Sequence, residues 1–320
     1  MVAPTTQTVS DAAQLKIVLL IAKELGVGTH QVAAAVALLD EGSTVPFIAR
    51  YRKEATGNLD DTHLRTLEER LLYLRELELR RAAILASIEE QGKLTDLLRG
   101  TIEAAATKQT LEDLYLPYKP KRRTRAQIAR EAGLELLADA LFGDPTLDPE
   151  QEAVKYLNVK PAAEGVEAIN VPDAPSALEG ARDILVERFA ETAELLAKLR
   201  TRLWEQGVIT STVMKGKETA HEEKFRDYYA HAEPLRTIPS HRALALFRGR
   251  TLGVLKIDVN LGDVLEAAVP HPCIAMIAAH VGIEDRSRRA DTWLMGVCDW
   301  TWRGKLHVQL TVELLMQLRE

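Results

Sequence analysis

The sequence contains very little cysteine, and its cysteines are not arranged as a site. Cys273 and Cys298 are the only two among 320 residues, which is too few for a disulfide framework. Neither has a C-x-x-C partner, and the eight histidines include no H-x-x-x-H pair. We therefore expect no metal ion and no other cofactor.

Long hydrophobic runs are also missing. No apolar stretch reaches the roughly 18 residues that a membrane-spanning helix needs, and the N-terminus shows no basic or apolar targeting pattern. Together with the scarcity of cysteine, this favours a cytoplasmic protein without membrane association. A hydrophobic content of 46% and a charged content of 28% are globular values, so general disorder is not expected.

Catalytic signatures are scarce as well. The segment "MKGKET" (214–219) resembles a phosphate-binding loop, but Ser211 stands at the first glycine position and Glu218 at the last. Asp258 and Asp263 flank a predicted strand, where carboxylates more often end the strand and cap the next helix than hold a metal. We therefore predict a non-catalytic protein, and a cryptic nuclease or nucleotide hydrolase is the weakest alternative.

The chain lacks an excess of positive charge, but it concentrates positive charge locally. Its net charge of −6 excludes a general electrostatic coating of nucleic acid. One basic stretch follows two prolines in "YLPYKPKRRTRAQIAR" (115–130), and a second lies in "ARYRKE" (49–54). The candidate phosphate-binding residues are Lys119, Lys121, Arg122, Arg123 and Arg125 in the first stretch, and Arg50, Arg52 and Lys53 in the second.

The two basic stretches are not equally strong candidates. In the second, a structural interpretation competes, in which the arginines pair with carboxylates while Phe47 and Ile48 pack in the core. The same holds for "IPSHRALALFRGR" (238–250), with Leu244 and Leu246 packed. The first stretch contains no carboxylate and is stiffened by its prolines, so it is the better candidate for an exposed phosphate-binding loop.

Apolar spacing predicts helices over most of the chain. Leucines recur at threes and fours over 64–77, which predicts one long helix from about 62 to 91. We expect this helix to form an antiparallel hairpin with the segment from about 95 to 114. The seam would contain Leu67, Leu71 and Leu74. Further helices are predicted over about 12–25, 29–39, 125–142 and 177–206.

Two segments, "GVITSTVM" (207–214) and "GVLKIDVNL" (253–261), are rich in β-branched residues and predict strands. The predicted fold class is mainly α: an elongated multi-helix body with a long helical hairpin, a helix-turn-helix-like unit and a small β element. We expect three regions: a helical region with the hairpin at 1–117, a helix-turn-helix-like unit at 118–195, and a helical region with the β element at 196–320. Whether the last region packs back on the first is left open.

Two segments have the spacing of a helix-turn-helix, "IAKELGVGTHQVAAAV" (21–36) and "QIAREAGLELLADAL" (127–141). Reading DNA bases also requires polar side chains on the second helix. The first candidate offers only His30 and Gln31 there, and the second offers Glu135 and Asp139, which phosphates would repel. Both segments are therefore interpreted as packing units.

Three longer stretches together resemble the Tex family of bacterial transcription accessory proteins. They are "STVPFIARYRKEATGNLDDTHLRTLEER", "LEDLYLPYKPKRRTRAQIAREAGLELLADAL" and "IPSHRALALFRGR". The segments "GARDIL" (180–185) and "EKFRDYY" (223–229) look like that family too, and all five occur in the expected order. The resemblance covers roughly residues 11–320, although the family's acidic-glycine pair after "FRGR" is absent here.

The resemblance implies a transcription-associated, nucleic-acid-binding and non-catalytic protein. Family members are longer and continue into RNase H-like, helix-hairpin-helix and OB-fold domains, so this chain looks like their N-terminal helical part. The apolar run "LTVELLMQLRE" (310–320) is then expected to contact the following domain or the helical body.

The expected partner is RNA or DNA, bound at the phosphate backbone without sequence preference, and RNA polymerase is a further candidate. The alternative is a protein–protein scaffold that docks on RNA polymerase or RNA-processing partners without direct nucleic-acid contact by these residues.

Overall fold

The computed structural model describes residues 9–158, 170–216, 220–262, 266 and 269–319. Their fold is mainly α with one small antiparallel sheet, as the sequence predicts. The chain forms two compact units, Met1–Tyr118 and Lys119–Glu320. The finer division into three regions stays a prediction.

Side-chain caps mark several helix starts in the first unit. Ser10, Asp60 and Thr95 each accept a hydrogen bond from the backbone N–H three residues further on. The first helix ends at Gly26, whose φ of 67° favours glycine. The helices are α1 (Asp11–Leu25), α2 (Thr29–Asp40), α3 (Val45–Tyr51), α4 (Asp61–Glu90), α5 (Asp96–Ala104) and α6 (Lys108–Tyr115).

The long helix α4 carries the core of the first unit. Its buried leucines recur at threes and fours and include Leu67, Leu71 and Leu74. Ion pairs from Arg70 to Glu24 and from Arg75 to Asp40 place α1 and α2 along the N-terminal half of this helix. The predicted seam residues are therefore core residues.

The predicted hairpin partner of α4 is two helices rather than one. α5 runs antiparallel to the end of α4, with Arg99 Nη2 3.2 Å from Glu89 Oε1. The backbone becomes extended at Ala105, which ends α5. α6 then runs parallel to α4, where Lys108 contacts Glu76, and Glu112 lies 2.5 Å from Arg80.

A buried arginine closes the end of α5. Arg81 of α4 donates to the carbonyls of Ile102 and Glu103 at 2.7 Å and to that of Ala105 at 3.0 Å. The last carbonyls of a helix have no partners within the helix, so this guanidinium satisfies them and fastens α5 to α4.

The helices of the second unit are more broken than the sequence predicts. The helix expected at 125–142 is interrupted by Gly133, which has a φ of 84°. The helix expected at 177–206 is interrupted at Thr192, whose ψ of 107° is not helical. The helices among the described residues are α7 (Arg125–Glu131), α8 (Glu135–Gly143), α9 (Pro149–Ala153), α10 (Ala174–Ala190), α11 (Ala193–Gln206), α12 (Ser240–Thr251), α13 (Pro272–Val281), α14 (Asp291–Thr301) and α15 (His307–Gln317).

The β element is a three-stranded antiparallel sheet in the order β2-β1-β3. Its strands are β1 (Val208–Val213), β2 (Ala230–Pro234) and β3 (Leu255–Asn260). Ile209 lies opposite Val259, and both are fully buried. β1 and β3 confirm the two predicted strands, whereas the short polar β2 was not predicted.

The helix α10 lies at the centre of the second unit, in contact with α7, α8, α9 and α14. Gly180 allows α10 to approach the turn between α7 and α8 closely, since a Cβ there would lie 2.4 Å from Cδ1 of Leu134. The apolar run at the end of the chain forms α15. It buries Leu310, Leu314 and Leu315 in this unit but leaves Val308 and Met316 exposed.

Among the described residues, no single helix is long and apolar enough to cross a membrane. α1 and α2 reach that length and hydropathy only as a pair, and they meet at an angle of 118°. Their inward side chains, such as Ile21 and Val32, are fully buried in the first unit. The bend falls in the helix-turn-helix range of about 90–120°.

Candidate nucleic-acid interface

The basic stretch at 49–54 lies at the end of α3. Arg50, Arg52 and Lys53 are all exposed, and in the part of the chain that the structure describes none of them has a carboxylate within ion-pair distance. One carboxylate, that of Glu54, follows them directly in sequence. The ion pairing that the structural interpretation expects is therefore not seen here.

Two aromatic rings stand beside these cations. Phe47 is 46% exposed and Tyr51 66% exposed, and their ring centroids are 5.4 Å apart. The sequence analysis expected Phe47 and Ile48 both to pack, but only Ile48 is buried. We call Phe47, Arg50, Tyr51, Arg52 and Lys53 the α3 patch.

The turn that follows the α3 patch is held in place by α2. Gln31 Nε2 donates to the carbonyl of Gly57 at 2.6 Å, and its Oε1 accepts from the N–H of Gly28 at 2.9 Å. The buried Thr56 donates its hydroxyl to the carbonyl of Lys53 at 3.1 Å. These bonds fix the backbone at the C-terminal side of the α3 patch. They also occupy Gln31, one of the two polar residues that the first helix-turn-helix candidate could have presented to DNA.

The basic stretch that follows the two prolines is an irregular segment over 119–124, as predicted. The helix α7 begins only at Arg125, because the Thr124 side chain caps it by accepting from the N–H of Gln127 at 3.0 Å. Lys119, Arg122 and Arg125 are exposed. Among the described residues they have no carboxylate partner.

The other two cations of this loop are neutralised by carboxylates. Lys121 Nζ lies 2.6 Å from Glu191 Oε1, and Arg123 Nη2 lies 2.6 Å from Glu131 Oε2. The hydrogen bond from Arg123 lowers the pKa of Glu131. The loop therefore presents fewer free charges than its sequence suggests.

Glu187 shows how closely this part of the loop is integrated into the second unit. It accepts hydrogen bonds from Arg130 at 2.7 Å and from Thr124 at 3.1 Å. Burial acts to raise the pKa of Glu187, but these hydrogen bonds and the charge of Lys121 outweigh it and hold the pKa below its usual value. Lys121 and Arg130 thus stabilise the fold around an ionised carboxylate.

The second helix-turn-helix candidate carries acidic side chains that are already paired. Asp139 lies 2.8 Å from Arg188, and Glu135 lies 3.5 Å from Arg130. Both pairs join helices of the same unit, which fits a packing role.

The described residues offer few ligands for a metal ion. No group of three or more His, Cys, Asp or Glu side chains within them is placed to hold a metal ion. Asp258 Oδ1 accepts from Thr311 at 3.3 Å and lies 3.4 Å from His307 Nε2. Asp263 lies outside the described residues.

Comparison with known sequences identifies two matching family models. Residues 144–320 match the model described as Tex central region-like, and residues 15–89 match that of the Tex-like protein N-terminal domain. One match lies in each unit, and the segment between them, residues 90–143, contains α5 to α8.

Individual relatives match nearly the whole chain. Protein tex of Bordetella pertussis is 55% identical over 99% of this chain, and transcriptional accessory protein Tex of Neisseria gonorrhoeae is 51% identical over 96%. The human S1 RNA-binding domain-containing protein 1 is 31% identical over 72% of this chain. The chain spans 40%, 39% and 23% of the lengths of these relatives, respectively.

Proposed function

The chain belongs to the Tex family of transcription accessory proteins, and from that premise we propose that it is a non-catalytic, nucleic-acid-associated part of a transcription accessory factor. It would bind RNA or DNA at the phosphate backbone, without sequence preference. One relative is named as a Tex transcriptional accessory protein and another as an S1 RNA-binding domain protein, which supports this general role. A cytoplasmic location is part of the same proposal.

The observation that carries the proposal is the α3 patch. Three exposed cations without ion-pair partners among the described residues stand beside two exposed rings. Cations that no carboxylate neutralises can replace the counterions of a phosphate backbone, which is the main source of non-specific affinity. Exposed rings add stacking platforms for unpaired bases.

The loop at 119–125 supports the same function with less free charge. Lys119, Arg122 and Arg125 are its unpaired cations in the described structure, whereas Lys121 and Arg123 would have to leave carboxylates to reach a phosphate. We therefore rank the α3 patch above this loop as the main contact, which reverses the order that the sequence favours.

A salt titration tests the proposal directly. We expect the chain to bind a labelled single-stranded oligonucleotide with a Kd on the order of 10⁻⁴ to 10⁻⁶ M at physiological salt. Replacing Arg50, Arg52 and Lys53 by alanine should weaken binding to all sequences alike. It should also make the slope of log K against log salt shallower by about 2, because each lost phosphate contact removes about 0.7 for a single strand. Fluorescence anisotropy measures both effects.

A matched control removes the same amount of charge elsewhere. Arg65, Lys198 and Arg303 are exposed and each pairs with a carboxylate one helical turn away. Their triple alanine variant should keep the wild-type slope. A triple alanine variant of Lys119, Arg122 and Arg125 should have a slope between those of the α3 variant and the control. If the α3 variant and the control give the same curve, the α3 patch does not contact nucleic acid.

A second candidate function is a protein–protein scaffold that docks on RNA polymerase or an RNA-processing partner. Large apolar side chains that stay exposed favour it, among them Leu244 of α12 and Val308 and Met316 of α15. Co-purification with polymerase that survives nuclease treatment and the α3 substitutions would support this alternative.

The non-catalytic part of the proposal has its own test. Labelled RNA incubated with the chain and Mg²⁺ should stay intact. Reproducible cleavage that Asp258→Ala abolishes would instead make the protein a nuclease.

A further inference from the structure

A groove lined by two indole rings lies between α10 and α14. Its volume is about 370 Å³. We call it the Trp groove and define it by Leu178, Glu179, Arg182, Trp293, Gly296 and Trp300. No role in the proposed nucleic-acid binding involves these residues.

The spacing of the two tryptophans along α14 places both of them in the groove. Trp293 and Trp300 are seven residues apart, which is about two helical turns, so both indoles lie on one face about 10 Å apart along the axis. Gly296 lies between them, and a Cβ at this position would meet no atom within 4 Å. The glycine therefore leaves an open slot, and the two rings form its ends.

The indole of Trp300 is exposed and fixed at the same time. It is 51% exposed, and the guanidinium carbon of Arg182 lies 4.2 Å from its ring centroid. Arg182 is in turn held by Glu179 at 2.9 Å and by Asp183 at 3.3 Å. A tryptophan side chain that is already ordered loses little conformational entropy when a ligand binds.

The charges around the groove favour a cationic ligand. Among the lining residues Glu179 supplies the carboxylate and Arg182 the guanidinium, and Arg182 is already paired with Glu179 and Asp183. The Glu179 side chain is also largely exposed. The guanidinium of Arg182 is therefore neutralised where a phosphate would need it, whereas the exposed carboxylate of Glu179 can attract a lysine or arginine.

We propose that the Trp groove binds an extended segment of a partner protein in which a proline stands next to a lysine or arginine. The proline ring fits the slot at Gly296 between the indoles, and the neighbouring cation reaches Glu179. Proline-rich segments suit such a groove because their polyproline II conformation exists before binding, and aromatic-lined grooves are their usual receptors.

A labelled peptide of three Pro-Pro-Lys repeats tests the proposal on the whole chain by fluorescence anisotropy. We expect saturable binding that weakens at least tenfold when alanine replaces the prolines or glutamate replaces the lysines. The substitutions Gly296→Leu, which fills the slot, and Trp300→Ala should each weaken binding at least tenfold. Glu179→Gln should weaken it less and flatten its salt dependence. Leu136→Ala, at an exposed apolar residue of α8, is the matched control and should bind as the wild type does.

Thermal melting separates a blocked groove from a damaged fold. Gly296→Leu should melt no lower than the wild type, since leucine is a better helix former than glycine. If that variant fails to fold, Gly296→Ala takes its place, because its Cβ meets open space.

Two results would overturn the proposal. One is peptide binding that is absent or unchanged by Gly296→Leu and Trp300→Ala. The other is oligo(dT) that displaces the peptide and loses its own affinity with Trp300→Ala, because the groove would then be a base-stacking site.

Discussion

The exposed tyrosine of the α3 patch, Tyr51, can distinguish phosphate binding alone from phosphate binding combined with base stacking. If only the cations act, single and double strands are bound through phosphates alike, whereas an exposed ring adds stacking that only unpaired bases can use. We predict that Tyr51→Ala weakens binding to oligo(U) by about 1–3 kcal/mol, the usual contribution of one stacked base. Anisotropy titrations with oligo(U) and with a duplex of equal length measure the difference.

The conservative variant Tyr51→Phe keeps the ring and is the matched control. It should bind oligo(U) as the wild type does, and neither variant should change duplex binding. Because Tyr51 is 66% exposed, neither should change the melting temperature much. Equal losses for the single strand and the duplex would mean that the ring does not stack on bases.

Another residue-scale prediction concerns the buried carboxylate of Asp291. Its oxygens accept from the Arg288 guanidinium at 3.0 Å and from the N–H groups of Arg286 and Arg288 at 2.8 Å. The hydrogen bond from the Arg288 side chain, aided by these backbone donors, lowers the pKa of Asp291 from 3.8 to about 2 against the opposing effect of burial.

A lowered pKa in the folded state makes this carboxylate stabilising when it is ionised. Its contribution should be fully present above about pH 4 and should disappear as the pH falls towards 2. We expect Asp291→Asn to lower the melting temperature at pH 7. The difference in melting temperature between this variant and the wild type should become smaller as the pH drops from 4 to 2. A difference that stays constant over this range would show that ionisation of Asp291 does not stabilise the fold.

At the scale of elements, the long helix α4 offers a comparison between neighbouring leucines. Leu71 is buried in the core of the first unit, whereas Leu72 is 62% exposed. Leu71→Ala should cost about 2–5 kcal/mol, because it removes buried methyl groups and leaves a cavity. Leu72→Ala should change the free energy of unfolding by less than about 0.5 kcal/mol. Urea denaturation of both variants checks this, and a small loss for Leu71→Ala would mean that this face of α4 is not packed.

The repeated leucines of α4 made this helix predictable, because their period of threes and fours is a local property of the sequence. The breaks in other helices were harder to predict. Gly133 and Thr192 each stand inside an apolar pattern that continues on both sides, so periodicity alone predicts one helix where the structure has two. At Gly133 the helix-turn-helix spacing of 127–141 did indicate a turn, whereas nothing indicated one at Thr192. The short helix α3 was not predicted either, since seven residues give too few turns for a period to appear.

The charged residues of the candidate interface were located by the sequence, but their partners were not. Lys121 pairs with Glu191, 70 positions away, and nothing local to the loop indicates that contact. Arg52 has no such partner in the described structure, although a neighbouring glutamate in the sequence suggested pairing. Which cations are free depends on tertiary contacts, so the ranking of the two basic stretches needed the structure.

At the scale of the whole molecule, the first unit has a core of its own. Its buried apolar cluster runs from Ile17 to Tyr115 and consists entirely of residues before 119. The buried Arg81 and the ion pairs of α4 also have their partners within this unit. A unit with an apolar core of its own and with its main ion pairs inside it meets the principal physical requirement for folding alone.

We therefore predict that residues 1–118, produced as a separate fragment, fold without the rest of the chain. Circular dichroism should give a helical spectrum, and urea should unfold the fragment in one cooperative transition with a free energy of about 5–15 kcal/mol. Leu71→Ala should lower that value by the same amount as in the full chain, because Leu71 belongs to the apolar cluster of this unit, and the exposed Leu72 should again tolerate alanine with little effect. A broad transition without a baseline, or a Leu71→Ala effect that differs between fragment and full chain, would mean that the second unit contributes to the core around α4.

A fragment that folds cooperatively would contain the α3 patch but not Lys119, Arg122 and Arg125. Its anisotropy with oligo(U) would therefore measure the affinity of the α3 patch without the contribution of those three residues.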